Sequence, residues 1–426
     1  MELAVFLISL FALLPLGIPI AFILLICCAI LMLFMGNFDA SIIAQQTVAG
    51  TNSFALMAIP FFMLAGEIMG RGGLSRRIVD FANILVGRVR GGLGYAAIIA
   101  SMIFAGLSGS PVADASALGA IMIPMMVAKG YDRGTSTGLI CAGAMIAPII
   151  PPSVPMIVLG SAVGVSIGRM FMAGIVPGVL IGMGLMALWF FIVRKHDYHD
   201  TVTYTKEETA KILKDSLPAL FMPVLIVGGI RLGIFTPTEA GAFACVYALF
   251  ISMFVYREVK PSDLLDIAIE SGKGTAIVMF IVGAATAVGW LITVAQIPTQ
   301  FAALLGPVAH RPILLLIIIN IFFFFIGMVM DLTPNLLIFG PVIFPVIIAA
   351  GIDPVYFGVL MVFNLCLGLI TPPVGTILYL GCSVGQVTFG RLVKSILPFL
   401  MVEFTMLFLF ILFPALIRVP MNWFIG

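Results

Sequence analysis

The sequence GLSGSPVADASALG, from Gly106 to Gly119, is unusually polar for the chain that contains it. It holds three serines, three glycines, one proline and the ionisable Asp114, and apolar runs lie on both sides of it. Proline and glycine disfavour a helix interior, and a carboxylate is costly in apolar surroundings. The stretch therefore predicts a helix interruption at a place where polar groups are needed.

The composition shows what surrounds this stretch. Of the 426 residues, 62% are hydrophobic and 9% are charged, and the mean hydropathy is +1.24. Soluble domains carry about 25% charged residues, so we expect an all-α membrane protein with about nine to eleven transmembrane helices. The net charge of +2 argues against a nucleic-acid partner. The six cysteines show no metal-ligand spacing and the three histidines form no catalytic cluster, so we expect neither an enzyme nor a cofactor.

A second interruption of the same kind occurs later in the chain. The sequence GMVMDLTPNLLIFG runs from Gly327 to Gly340, which is 221 residues after Gly106–Gly119, and it contains Asp331. The same offset relates the double prolines Pro151-Pro152 and Pro372-Pro373. Register kept over this distance without a gap indicates an internal duplication.

Each copy therefore contains two breaks, a Gly/Ser/Asp stretch and a double-proline stretch. Proline lacks a backbone donor, and unpaired backbone groups cost several kcal/mol each in hydrocarbon. We predict a hairpin at about 92–128 and a broken helix at about 134–165 in the first copy. The second copy should have a hairpin at about 312–350 and a broken helix at about 355–386. Four such breaks at matching places predict a polar centre.

The basic residues predict how the two copies are oriented. Arg71, Arg88 and Arg90 precede the first Gly/Ser stretch, and Lys129 and Arg133 follow it, whereas the matching flanks of the second copy hold only Arg311. Positive charge marks cytoplasmic loops. Both hairpins are thus predicted to be re-entrant and to enter from opposite faces, as an inverted repeat. The division is residues 1–193, a cytoplasmic linker at 194–216, and residues 217–426.

Inverted repeats with interrupted helices are typical of secondary transporters, and hydroxyl, carboxylate and carbonyl oxygens suit Na⁺. One predicted set of oxygens comes from Ser108, Ser110 and Asp114, opposite the break from Ala147 to Ser153. A second comes from Asp331, Thr333 and Asn335, opposite Thr371 and Thr376. The two aspartates favour function because each costs at least about 3 kcal/mol at mid-membrane. Any single serine is more readily explained by helix packing than by ion binding.

Two other acidic residues have simpler interpretations. Glu67 lies four residues before Arg71, which predicts an ion pair at a helix end with both side chains reaching towards the membrane surface. Thr236, Pro237 and Glu239 have the spacing of a capping box. We therefore interpret Glu239 as a helix cap.

Six ordered motifs resemble the large membrane subunit of tripartite ATP-independent periplasmic (TRAP) transporters, over almost the whole chain. They are AIPFFMLAGEIM (Ala58–Met69), GLSGSPVADASALG, APIIPPS (Ala147–Ser153), FTPTEAG (Phe235–Gly241), GMVMDLTP (Gly327–Pro334) and GLITPPVG (Gly368–Gly375). The resemblance implies a multi-pass protein of the bacterial inner membrane that imports a small organic anion, of the sialic acid or C4-dicarboxylate class, with Na⁺ as the coupling ion. It also implies an elevator mechanism, a periplasmic substrate-binding protein and a small four-helix membrane subunit, here a separate chain.

The resemblance also implies where the ligands bind. Its sodium sites lie where each hairpin tip meets a broken helix, which adds Gly327 to the residues named above. Substrate contacts are expected close to both tips, at Gly109, Ser110, Pro152, Pro373 and Gly375.

Two other classes of protein remain as alternatives. An ion channel can also use re-entrant loops, although two inverted copies in one chain suit alternating access better than a pore. An intramembrane aspartyl protease needs two membrane aspartates, but its Gly-x-Gly-Asp signature is absent before Asp331.

Overall fold

The computed structural model describes residues 1–195 and 204–425, and this part of the chain is helical with no strand. The helices of the first half are α1 (Glu2–Leu13), α2 (Ile20–Phe34), α3 (Ala40–Thr51), α4 (Ala58–Arg71), α5 (Leu74–Val86), α6 (Gly92–Ser108), α7 (Pro111–Ala128), α8 (Arg133–Ala144), α9 (Val154–Val163) and α10 (Ile167–Arg194). The helices of the second half are α11 (Lys206–Arg231), α12 (Pro237–Phe250), α13 (Leu264–Val294), α14 (Ile297–Ala309), α15 (Pro312–Gly327), α16 (Leu332–Ala349), α17 (Pro354–Leu369), α18 (Thr376–Gly385), α19 (Phe389–Leu412) and α20 (Ala415–Ile425).

Eight helical stretches in the described residues are long and apolar enough to cross a membrane, which confirms the predicted all-α membrane class. This is fewer than nine to eleven because several further apolar helices have only 10–17 residues. At 1.5 Å per residue, a helix of ten residues covers about 15 Å, half of a hydrocarbon core. The apolar run from Leu3 to Met35 is one such case, since it divides into α1 and α2 with Gly17 at φ +70° between them.

The helix ends repeat at the offset seen in the sequence. Helix α7 starts at Pro111 and α16 at Leu332, α8 at Arg133 and α17 at Pro354, in each case 221 residues apart. Side chains cap the starts of α7, α8 and α17, as where the Asp132 carboxylate accepts a hydrogen bond from the Thr135 N–H at 2.8 Å. Such a cap satisfies a backbone donor that the first turn leaves unpaired.

The packing of the eight interrupted helices follows the same duplication. Helix α7 of the first copy packs against α18 of the second, and the counterpart pair, α16 and α9, is also in contact. Helix α8 likewise packs against α19, and its counterpart α17 packs against α10. Exchanging the two copies therefore exchanges these pairs with one another, as in a pseudo-twofold arrangement. We call α6–α9 with α15–α18 the hairpin bundle.

The remaining early helices of each half form a second group, which we call the frame (α1–α5 and α11–α14). Helix α4 packs against α12 and α13, and α13 packs against α2 and α3. Helices α4, α5, α13 and α14 contact the hairpin bundle.

The predicted linker at 194–216 is partly helical. Residues 196–203 lie outside the described residues, and α11 begins at Lys206, so the predicted boundary at 217 falls inside a continuous helix. A capping box fixes this start, with the Glu208 N–H donating to the Thr205 hydroxyl at 3.2 Å.

Candidate functional site

The first hairpin tip joins α6 to α7 through Gly109, which has φ +59°. The Ser108 hydroxyl donates a hydrogen bond to Asp114 Oδ1, and the Ser110 N–H donates to Ser108 Oγ at 3.2 Å. The Ser110 hydroxyl caps α7 by accepting from the Ala113 N–H at 3.4 Å. Asp114 is fully buried, and its Oδ2 has no hydrogen-bond partner among the described residues. The three predicted side chains thus form one polar cluster.

This tip lies directly on the break between α8 and α9. A Cβ added to Gly109 would contact the Pro152 carbonyl oxygen and would lie 3.1 Å from Ser153 Cα. Ser153 is fully buried, and its hydroxyl donates to the Pro148 carbonyl at 2.6 Å while accepting from the Met156 N–H at 3.2 Å. Ala147 is buried in the same break. Only backbone or a very small group fits between this tip and this break.

The second hairpin tip presents its carboxylate differently. Asp331 directly precedes α16 without capping the helix through its side chain, and the residue is exposed. Asn335, one turn further, is fully buried and donates from Nδ2 to the Met330 carbonyl at 3.1 Å. Asn335 therefore stabilises the backbone of the tip through this hydrogen bond, while Asp331 is the accessible acid.

The second tip also packs on its own broken helix. A Cβ added to Gly327 would lie 3.4 Å from Gly368 Cα, so α15 and α17 meet through glycine backbone. The Thr371 hydroxyl donates to the Leu367 carbonyl at 2.6 Å. Thr376 and Pro373 are exposed, and Gly375 is buried with φ +56°.

The two tips meet at one cavity of about 500 Å³. The first tip lines it with Ser108, Gly109 and Ser110, and the second with Asp331 and Thr333. Ten predicted site residues lie outside its lining: Asp114, Ala147, Pro152, Ser153, Gly327, Asn335, Thr371, Pro373, Gly375 and Thr376. Asp114, Gly327 and Asn335 lie in the two hairpins and the others lie in or next to the two breaks. The predicted residues that line the cavity therefore all belong to the hairpin tips.

Glu67 and Arg71 are not among the predicted site residues, yet both line the same cavity from helix α4 of the frame. The predicted i,i+4 ion pair is present, with Arg71 Nε 2.8 Å from Glu67 Oε1. The i,i+4 spacing predicted the ion pair but not that the pair faces the cavity. The sequence feature that could have indicated a site role is a glutamate inside the apolar motif AIPFFMLAGEIM.

Glu403 is a further buried acid, and no motif pointed to it. It lies within α19, fully buried, and neither carboxylate oxygen has a hydrogen-bond partner among the described residues. Glu239, by contrast, is confirmed as a cap, since its carboxylate accepts from the Thr236 N–H at 2.8 Å.

Comparison with known proteins agrees with this geometry. Residues 7–416 match the family described as "Tripartite ATP-independent periplasmic transporter, DctM component". The 2,3-diketo-L-gulonate TRAP transporter large permease protein YiaN of Escherichia coli is 46% identical over 407 residues, 96% of each chain. The sialic acid TRAP transporter large permease protein SiaM of Vibrio cholerae is 37% identical over 410 residues, again 96% of each.

A solved structure has a similar fold. The YdaH transporter of Alcanivorax borkumensis, whose crystal structure is described as having an unusual topology, matches with a TM-score of 0.66 over 91% of both chains. Its sequence identity is 13%, so this likeness concerns the fold alone. The family match and the two relatives extend over nearly the whole sequence. The chain therefore belongs to the DctM, or large permease, family of TRAP transporters, which is a family of transporters and not of enzymes.

Proposed function

We propose that this chain is the transport subunit of a sodium-coupled importer for a small organic acid in the bacterial inner membrane. A periplasmic binding protein would deliver the acid, and a small four-helix membrane subunit would support the frame. The observation that carries the proposal is the cavity of about 500 Å³, which both hairpin tips line together with the frame. This volume lies within the range of small-molecule sites.

The residues at the tips fit sodium ions. At the first tip, the unpartnered Asp114 Oδ2 is a buried acceptor that a cation would satisfy, and the Ser108 hydroxyl is its neighbour. At the second tip, Asp331 and Thr333 offer oxygens at the cavity. Hard cations prefer such oxygen ligands. Bound sodium would supply positive charge beside the place where an anion enters.

The names of the relatives support an organic acid as substrate. The two relatives named above are described as permeases for 2,3-diketo-L-gulonate and sialic acid. The large permease protein DctM of Pseudomonas aeruginosa, 38% identical over 370 residues, is described as one for C4-dicarboxylates, and all of these substrates carry a carboxylate. The nitrogen donors of Arg71 in the cavity fit the same chemistry.

The packing supports an elevator motion of the hairpin bundle. Its two copies interlock through α7 with α18 and through α9 with α16. A bundle held together in this way would move as one body along the frame, and its duplicated halves could exchange conformations at similar energy. The protease alternative loses support because Asp114 does not line the cavity with Asp331.

Uptake into proteoliposomes tests the proposal. The chain, its small membrane subunit and its binding protein would be assayed with N-acetylneuraminate, succinate and 2,3-diketo-L-gulonate, each with and without an inward sodium gradient. Concentrative uptake of one acid only with the gradient is expected. Sodium-independent uptake, or uptake of none of the three acids, would contradict the proposal.

Cysteine labelling tests the motion. Single cysteines at Ser110 and Thr333, in a background without the six native cysteines, are labelled from each side with an impermeant reagent. One rate should rise as the other falls when sodium and the acid are added. Independent responses would favour a gated channel.

A further inference from the structure

The cavity has a charged wall on the frame side, opposite the hairpin tips. Glu67 and Arg71 both line the cavity, with side-chain exposures of 35% and 38%. Ser110 and Asp331 line the same cavity, so the pair is not confined to a lipid-facing surface. Glu67 and Arg71 therefore lie where they can contact a molecule bound in the cavity.

The geometry of the pair leaves part of the arginine available. Glu67 Oε1 accepts from Arg71 Nε at 2.8 Å, and Glu67 is the one hydrogen-bonded partner of that guanidinium within the described residues. A guanidinium has five N–H donors in a planar fork, and its terminal nitrogens match a carboxylate in a bidentate manner. With Nε held by Glu67, the terminal nitrogens of Arg71 remain free for a second acceptor.

The duplication shows that packing does not require these charges. At the offset of 221, the counterparts of Glu67 and Arg71 are Val288 and Ile292 in α13, and Ile292 is buried. The second copy thus has apolar side chains at both corresponding helical positions. Helix α13 also lines the cavity, through Val278, but it carries no charge at the positions that match Glu67 and Arg71.

We propose that Arg71 is the frame's carboxylate-binding residue, which contacts the transported acid through its terminal nitrogens while Glu67 positions the guanidinium through Nε. This inference rests on the proposed function. Because the Glu67 carboxylate offsets most of the positive charge, the contact is weak enough for the acid to leave. An unpaired arginine would hold the anion more tightly and slow its release.

The test measures KM and maximal rate in the complete complex, using the acid that the wild-type complex takes up. Arg71→Ala should raise KM about tenfold or more and leave the apparent affinity for sodium unchanged, and Arg71→Lys should recover part of the loss. Glu67→Gln should lower both KM and the maximal rate. A residue that served only the packing of α4 would not produce these opposite shifts in KM.

Arg88→Ala is the matched control, because Arg88 is exposed and lies outside the cavity lining. It should leave KM unchanged. Monodisperse elution of each variant with the small subunit establishes folding. Unchanged KM in Arg71→Ala, with wild-type uptake intact, would overturn this inference alone. No uptake of any of the three acids by the wild-type complex would overturn both this inference and the proposed function.

Discussion

Replacing Gly109 with alanine should damage the contact between the first hairpin tip and its broken helix. Two effects add at this position. Gly109 has φ +59°, and a left-handed backbone costs a residue with a Cβ about 1–2 kcal/mol. The new methyl group would also meet the Pro152 carbonyl, which is backbone and cannot rotate away, and overpacking of this kind costs about 1–3 kcal/mol. The expected loss in the free energy of unfolding is about 2–5 kcal/mol.

Gly130 separates the two effects. It has φ +86°, and a Cβ added there would meet nothing within 4 Å, so Gly130→Ala keeps the backbone cost and lacks the clash. The expected loss is about 1–2 kcal/mol. Gly228→Ala is the baseline, since Gly228 lies within α11 and a Cβ there also meets nothing within 4 Å.

Equilibrium unfolding in mixed micelles, titrated with SDS and followed by tryptophan fluorescence, gives the three free energies. Gly109→Ala should be the least stable variant, Gly130→Ala intermediate and Gly228→Ala the most stable. In transport assays Gly109→Ala should also weaken the sodium dependence of uptake, because the displaced tip alters the cluster of Ser108 and Asp114. Equal losses in Gly109→Ala and Gly130→Ala would refute the close contact with Pro152.

Three other changes test separate parts of the structure. Asp331→Ala should strongly weaken sodium-coupled uptake while the protein still inserts and assembles; sodium dependence like that of the wild type would remove Asp331 from the site. Asn364→Ala should cost about 1–2 kcal/mol in the same unfolding assay, because Asn364 Nδ2 donates across helices to Asn320 at 2.7 Å; no loss would mean that this bond contributes nothing. Desolvation raises the pKa of Asp132, but hydrogen bonds from Thr135 and Arg391 outweigh it and hold that pKa below its usual range. The stabilisation from the Asp132 carboxylate is therefore complete above the unfolded pKa of about 3.9 and is lost as pH falls through the folded pKa. Asp132→Asn should lower the free energy of unfolding by less than about 1 kcal/mol. The same substitution should abolish this pH dependence of unfolding.

The duplication and the helix breaks could be predicted because they depend on local chemistry. Glycine and proline end helices wherever they lie in a fold, so the repeat of double prolines at one offset predicted interruptions without tertiary information. Local chemistry does not decide the segment from Leu3 to Met35, because Pro15 and Pro19 are compatible with either one tilted helix or two short helices. Gly17 at φ +70° decides for two helices.

The cavity lining could not be predicted in the same way, because it depends on contacts between distant segments. An i,i+4 ion pair has the same sequence pattern on a lipid-facing surface as in a cavity, so nothing local showed where Glu67 and Arg71 face. The sequence also predicted a sodium-binding role for both Asp114 and Asp331 without showing how their surroundings differ. The structure places one under a serine hydroxyl and the other at the open cavity.

The difference between these two aspartates bears on coupling. At the offset of 221, Ser110 corresponds to Asp331 and Asp114 to Asn335, so the acid has changed place by one helical turn between the copies. Only the second tip therefore presents a carboxylate to the cavity where the substrate anion is proposed to bind. Two negative charges about 5 Å apart repel by about 3 kcal/mol at an effective dielectric constant of about 20. On the proposed function, a sodium ion at the second tip has to be bound before or together with the anion, whereas the ion under the first tip, shielded by Ser108, is free of that requirement. One sodium site then couples directly to substrate binding, and the other acts through the conformation of its tip.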